Sequence, residues 1–166
     1  MTVACLIATA AIFRRIHALD VRRRVVARAH LAALVVLRLG LLAATGIEAL
    51  PASEATRAWW GAEALAVSAG YGVLVAVGIA LLGRIVSCGA GREAIGAGDV
   101  KLYAVCCLFL DGEGVILFMA ASSLVGAACA LHAAAQRARD FPFAPAIVWA
   151  CWAVLAARTI GDGALV

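Results

Sequence analysis

The chain contains 166 residues, of which 66% are apolar and only 14% are charged, and its mean hydropathy is +1.03. Soluble domains contain about 45–50% apolar and about 25% charged residues, so the composition excludes an ordinary soluble fold and predicts one membrane domain over residues 1–166. Most of the basic residues behind the formal net charge of +4 stand in connectors between apolar segments, which favours membrane lipid over nucleic acid as their partner.

Six apolar segments predict an all-α fold, a polytopic transmembrane bundle of about six helices. A helix needs about 20 residues to cross the hydrocarbon core, and segments of about that length lie at 2–19, 29–47, 64–86, 94–110, 114–135 and 143–157. The first segment ends in Arg14, Arg15 and His17, and the fourth is continuously apolar only after Lys101. We therefore expect the charged ends of both helices to project into water.

The connectors between these segments differ in charge. Connectors one, three and five, with their flanks, hold Arg14, Arg15, Arg22, Arg23, Arg24, Arg28, Arg84, Arg92, Lys101, Arg137 and Arg139. Connectors two and four hold mainly acids, namely Glu48, Glu54, Glu63, Asp111 and Glu113, against the single Arg57. Because short cytoplasmic loops retain positive charge, the pattern predicts a multi-pass membrane protein with connectors one, three and five in the cytoplasm and both termini outside (N-out, C-out).

Some polar residues lie within the predicted helices. Arg38 falls in the middle of helix two, where it is costly unless it faces the bundle interior, a water cavity or an acid. The sequence does not identify its partner. The six cysteines show no ligand spacing of a zinc site, so they are interpreted as small buried side chains and no metal is predicted.

The most informative motif is Gly96-Ala97-Gly98-Asp99-Val100-Lys101-Leu102. An Asp on a membrane helix is costly and is therefore a functional candidate, although a plain turn between helices remains the alternative. Glycines 96 and 98 carry no side chain next to the carboxylate, which predicts close access for a peptide backbone.

A second acid, Asp20, is predicted to lie beside Asp99. Helix one runs inward and helix four outward, so Asp20 at the end of the first and Asp99 at the start of the fourth reach the same boundary. Two carboxylates that close share a proton. The ionised one can deprotonate water, and the protonated one can polarise a peptide carbonyl and later protonate the leaving amine, with no cofactor. His17, one turn before Asp20, is interpreted as an interfacial histidine.

Three segments of the chain resemble the type IV prepilin peptidases, a family of aspartyl peptidases in the bacterial inner membrane. They are Leu19-Asp20-Val21-Arg22-Arg23-Arg24-Val25, the Gly-x-Gly-Asp-x-Lys segment from Gly96 to Lys101, and Phe141-Pro142-Phe143-Ala144-Pro145. The chain departs from the family at Val26-Ala27, where Ile-Pro is usual, and at Ala144, where Gly is usual. It also lacks the cysteine-containing segment associated with N-methylation, so it is similar to the short forms that serve tight-adherence pili.

The resemblance implies an aspartic endopeptidase that removes the short leader of prepilin-like precursors at the cytoplasmic face. Asp20 and Asp99 would be catalytic, and Gly96, Gly98 and Lys101 would support the site. The partners implied are pilin-like precursors and membrane lipid. Three alternatives stay open: another Gly-x-Gly-Asp intramembrane protease, a non-catalytic or transport protein that uses the acids as a cation or proton site, and an inactive family member.

Overall fold

The structure, a computed structural model, describes residues 3–23, 25–48, 54–90, 95–136 and 142–161. These residues form six α-helices and, within these ranges, no β-strand, which confirms the predicted all-α fold. The helices are α1 (Val3–Arg23), α2 (Arg28–Glu48), α3 (Glu54–Ala90), α4 (Ala97–Cys107), α5 (Gly112–Ala135) and α6 (Ala144–Gly161).

Helix α4 is shorter than the sequence predicts, because its backbone leaves the helical path at both ends. Gly96 is extended (φ −69°, ψ 143°), and its carbonyl accepts the N–H of Asp99 at 3.0 Å. After Cys107, the N–H groups of Leu108 to Leu110 each bond the carbonyl three residues earlier, which forms a tight turn. The helix expected over 94–110, to within a few residues, therefore begins at Ala97 and ends at Cys107. The 11 residues of α4 cover about 16 Å, roughly half of the hydrocarbon core.

Two helices are long and apolar enough to cross a membrane, one within α3 (Glu63–Gly89, 27 residues) and α5 (Gly112–Ala135, 24 residues). The apolar stretch of α6, Ala144–Thr159, is shorter. Both long helices expose large apolar side chains, including Leu74, Ile85, Ile116, Leu124 and Leu131. Such a surface is unusual in a soluble monomer and suits contact with lipid. Only these two of the six predicted crossings meet the length and hydropathy criterion within the residues described.

The two short helices lie in the interior of the bundle. Helix α4 packs against α2, α3 and α6, and α6 packs against α1, α4 and α5. The core around them contains Phe13, Ile16, Leu34, Leu102, Phe118, Ile147, Val148, Cys106, Cys107 and Cys151, each at most 1% exposed. The expectation that cysteines are buried hydrophobes is confirmed for these three, whereas Cys88 and Cys129 are exposed.

Two glycines bring α3 and α4 into close antiparallel contact. A Cβ at Gly72 would lie 2.8 Å from the carbonyl oxygen of Ala104, and a Cβ at Gly83 would lie 3.3 Å from the Cβ of Ile95. Gly70 and Gly78 of the same helix, by contrast, have no heavy atom within 4 Å of such a Cβ. Residues early in α3 therefore lie beside the end of α4, and residues late in α3 lie beside its start.

Candidate active site

Asp20 terminates the buried face of α1. Phe13, Ile16 and Asp20 follow each other at the three- and four-residue spacing that keeps side chains on one face of a helix, and they are 0%, 1% and 6% exposed. The next three residues of the chain that are described, Val21 to Arg23, are exposed. The core-facing stripe of α1 thus ends in a carboxyl group. Burying such a group costs free energy unless it has a partner.

Asp99 occupies the equivalent place on α4, in the first turn of the helix. Leu102, Tyr103 and Cys106, which lie three, four and seven residues later, form the buried face of this helix. Asp99 itself is half-buried. Each of the two inner-facing helix surfaces therefore places one carboxyl group at the same end of the bundle.

The two carboxyl groups interact electrostatically. Burial, and after it the negative charge of Asp20, raises the pKa of Asp99 from 3.8 to about 6. Asp99 precedes the apolar part of α4 and lies outside both helices that are long enough to cross the membrane. A helix N-terminus favours an anion by about 0.3–1 kcal/mol, whereas raising a pKa by one unit corresponds to about 1.4 kcal/mol. Burial and Asp20 therefore outweigh the helix dipole, and Asp99 holds its proton to unusually high pH.

The two glycines of the motif have different surroundings. Gly96 is exposed, and a Cβ there would lie 3.6 Å from Oδ2 of Asp99, an ordinary contact. Gly98 is half-buried, and a Cβ there would lie 3.3 Å from the Cβ of Val26. The first connector therefore packs on the Gly-x-Gly-Asp segment through Val26, at the position where the resemblance departs from the family. The missing side chain of Gly98 makes room for that connector.

Tyr103 is a site neighbour that the sequence analysis missed. It lies one turn after Asp99 on the same face of α4 and is 3% exposed. Its hydroxyl donates to Oγ of Ser122 at 3.0 Å, and its ring packs against Phe118 and Phe143 at centroid distances of 5.3 and 6.2 Å. Tyr103 thus ties the acid-bearing helix to α5 and to the segment that begins α6. The four-residue spacing from Asp99 was the available signal.

Lys101 and His17 lie near the two acids in the sequence, but their surroundings in the structure differ. Lys101 is exposed, and a residue two positions after Asp99 lies on a different side of the helix. His17 accepts a hydrogen bond at Nδ1 from the indole N–H of Trp149 in α6, at 3.2 Å. This contact fits the interpretation of His17 as an interfacial residue.

Arg38 has a partner that the sequence did not reveal, at the other end of α4. Its Nε donates to the carbonyl of Leu108 at 2.6 Å, and Oγ of Ser68 donates to the carbonyl of Leu110 at 3.4 Å. These bonds satisfy carbonyl groups that the end of a helix leaves without intrahelical partners. Nearby, Arg158 forms ion pairs of 2.8 Å with both Asp111 and Glu113.

Several residues on which the sequence-based predictions rest lie outside the part of the chain that the structure describes. They are Arg24, Arg92, Arg137, Arg139 and Phe141, and the side chains of Glu48, Glu54 and Arg57. Of the third resembling segment, Phe143 packs on α5, where a Cβ at Gly126 would overlap its ring.

The fold and the site define a class: a helical membrane protein with a pair of interacting carboxyl groups at one end of its bundle. Comparison with known families places it more narrowly. The type IV leader peptidase family matches residues 4–131, well over half of the chain, and the chain therefore belongs to that family. The matched region contains both Asp20 and Asp99 and ends before Pro142. No curated protein and no solved structure gives a significant match.

Proposed function

We propose that the protein is an aspartic endopeptidase that removes the short leader of type IV prepilin-like precursors. The observation that carries the proposal is the interaction of Asp20 with Asp99, which with burial raises the pKa of Asp99 to about 6. Membership of the leader peptidase family supplies the reaction class. Methyl transfer is not part of the proposal.

The pair performs the hydrolysis as one unit that holds a single proton. Asp99, with its raised pKa, is the member that carries the proton, and Asp20 is the base. Asp20 removes a proton from water as the water oxygen attacks the scissile carbonyl carbon, and the carboxyl of Asp99 donates to the carbonyl oxygen. When the C–N bond breaks, the leaving nitrogen takes up a proton from the pair. The products are a leader with a new carboxylate and a mature chain with a new amine.

The proposed reaction takes place at the cytoplasmic face of the bacterial inner membrane. The exposed arginines Arg22, Arg23 and Arg28 lie at the end of the bundle that holds the acid pair. Glu63 and Asp111 lie at the opposite end. Positive charge marks cytoplasmic loops, so this distribution supports a cytoplasmic acid pair. We propose that Gly96 leaves the backbone accessible and that the missing side chain of Gly98 lets the first connector pack. Lys101 is proposed to support the site through its positive charge at the polar boundary of the membrane.

The test is cleavage of a co-expressed prepilin-like precursor, followed as a mobility shift. We expect cleavage by the wild type and at least about a 10²-fold loss for Asp20→Asn and for Asp99→Asn, which is the lower range for removing a general acid or base. Asp111→Asn and Glu113→Gln are the matched controls, because they change equivalent acids at the other end of the bundle. Normal cleavage by both dyad variants would refute the proposal and favour a cation or proton site.

A further inference from the structure

We propose that a pocket at the end of the bundle opposite the acid pair binds a zwitterionic phospholipid through its phosphoethanolamine headgroup. The pocket has a volume of about 580 Å³. Its polar lining includes Arg38, Glu63, Ser68, Tyr71, Asp111 and Arg158. It lies between α2, α3, α6 and the turn that joins α4 to α5.

The pocket is separate from the acid pair. The contacts Gly72 to Ala104 and Gly83 to Ile95 set α3 antiparallel to α4, so residues 63–71 lie beside the end of α4 and Asp99 lies at its start. The nine residues from Asp99 to Leu108 correspond to about 13 Å along a helix axis. A ligand in the pocket therefore does not occupy the place of the scissile peptide.

The charges of the lining match a zwitterion. Two cations, Arg38 and Arg158, stand against two anions, Glu63 and Asp111, so the lining is neutral in total and divided in sign. Nε of Arg38 is bonded to the carbonyl of Leu108, which fixes the guanidinium while using one of its five N–H donors. A fixed guanidinium is suited to a phosphate oxygen.

The ammonium group of the ligand would bind to the acidic side chains of the same pocket. Glu63 is exposed, and the side chain of Asp111 is 60% exposed even though it pairs with Arg158. Both carboxylates are thus accessible at the rim, which suits an ammonium group at the level of lipid headgroups.

The rest of the lining fits acyl chains. Leu41, Val67, Phe109, Leu110 and Leu155 also border the pocket, and α3 presents a lipid-facing surface beside it through Leu74 and Val73, which are 69% and 64% exposed. A ligand with a divided headgroup and an apolar body matches both parts of the lining. A phospholipid has this chemistry and is available in the membrane that surrounds the helices.

Native mass spectrometry of the full chain, released from detergent micelles, tests the proposal independently of peptidase activity. Phosphatidylethanolamine is compared with phosphatidylglycerol, which lacks the ammonium group, and with water-soluble glycerophosphoethanolamine, which lacks acyl chains. We expect phosphatidylethanolamine to bind at least about tenfold more tightly than either, a difference of about 1.4 kcal/mol or more. Equal binding of the two lipids would overturn the headgroup assignment, and equal binding of the soluble analogue would show a phosphoester site that is not a lipid site.

Three variants locate the binding. Arg38→Gln should weaken the binding of both lipids, because both carry the phosphate. Glu63→Gln should lose the preference for phosphatidylethanolamine, whereas Arg84→Gln, an exposed arginine near the acid-pair end of α3, should keep both the binding and the preference. Glu63→Gln keeps the test decisive if Arg38→Gln fails to fold, because Glu63 is exposed and its loss leaves the bond to Leu108 intact. Retention of the preference by Glu63→Gln would overturn the proposal.

Discussion

Replacing Asp99 by Asn should abolish leader cleavage and at the same time stabilise the protein. Asn keeps the size of the side chain and its hydrogen-bonding end, but it can neither ionise nor pass a proton. The carboxyl group of Asp99 is held where ionisation is unfavourable, since its pKa is raised from 3.8 to about 6 by burial and then by Asp20. A carboxyl group held where ionisation is unfavourable is expected to cost stability once it is ionised.

The magnitude follows from the pKa. The difference of about two between 3.8 and about 6 corresponds to at most about 3 kcal/mol at about 1.4 kcal/mol per unit. Because Asp99 is only half-buried, solvent screening weakens this effect. We therefore expect Asp99→Asn to raise the free energy of unfolding by about 1–3 kcal/mol. The folded protein binds the proton more tightly than the unfolded chain does, so wild-type stability is lost as pH rises from about 4 through about 6. The free energy of unfolding of the variant should exceed that of the wild type by the full amount above about pH 7, and the two should be equal below about pH 4.

Unfolding in mixed micelles, followed by tryptophan fluorescence at several pH values, measures this difference, and cleavage of a prepilin-like precursor measures activity. Asp111→Asn is the matched control. Asp111 caps α5 by accepting the N–H of Gly114 at 2.8 Å, and Asn caps a helix about as well. This variant should therefore keep cleavage, and its stability should fall only by the exposed ion pair with Arg158, which is worth about 0–1 kcal/mol. An inactive Asp99→Asn protein whose stability matches wild type at every pH would refute the reasoning about the raised pKa.

Four further expectations follow from the same structure. Asp20→Asn should lose as much cleavage as the variant that changes both acids, because the groups act as a unit; additive losses would contradict a shared proton. Gly72→Ala should destabilise by about 1–3 kcal/mol by overpacking against a backbone carbonyl, whereas Gly78→Ala, with open space on the same helix, should be neutral or stabilise by up to about 1 kcal/mol; similar unfolding midpoints for the two would be the contrary result. Single cysteines at Arg23 and Asp111 should label from the cytoplasmic and outer sides respectively, and the reverse labelling would disprove the orientation. Cleavage should persist in EDTA because the carboxyl pair supplies both base and acid, and loss that zinc restores would show that a metal is needed.

The sequence was sufficient where the physical signal is local. Apolar segments long enough for membrane helices predict the number and type of elements, because a backbone in lipid must satisfy its hydrogen bonds within the helix. The Gly-x-Gly-Asp segment marks Asp99 by the cost of an acid beside a membrane helix. The prediction that Asp20 and Asp99 form a catalytic dyad remains a prediction, although the structure gives them an electrostatic interaction.

Tertiary contacts decided what local patterns cannot encode. The end of α4 at Cys107 lies within a continuous apolar run, and its freed carbonyls are bonded by Arg38 and Ser68, which are 70 and 42 residues away from their partners in sequence. The close contact at Gly98 likewise comes from Val26 of another segment. Hydropathy determined that this chain builds a helical membrane domain, since the length and the apolar character of a segment are properties of the local sequence. Which glycine lies in close contact, where a helix stops and which group accepts a hydrogen bond from Arg38 depend on packing between distant segments, and only the folded chain brings those together.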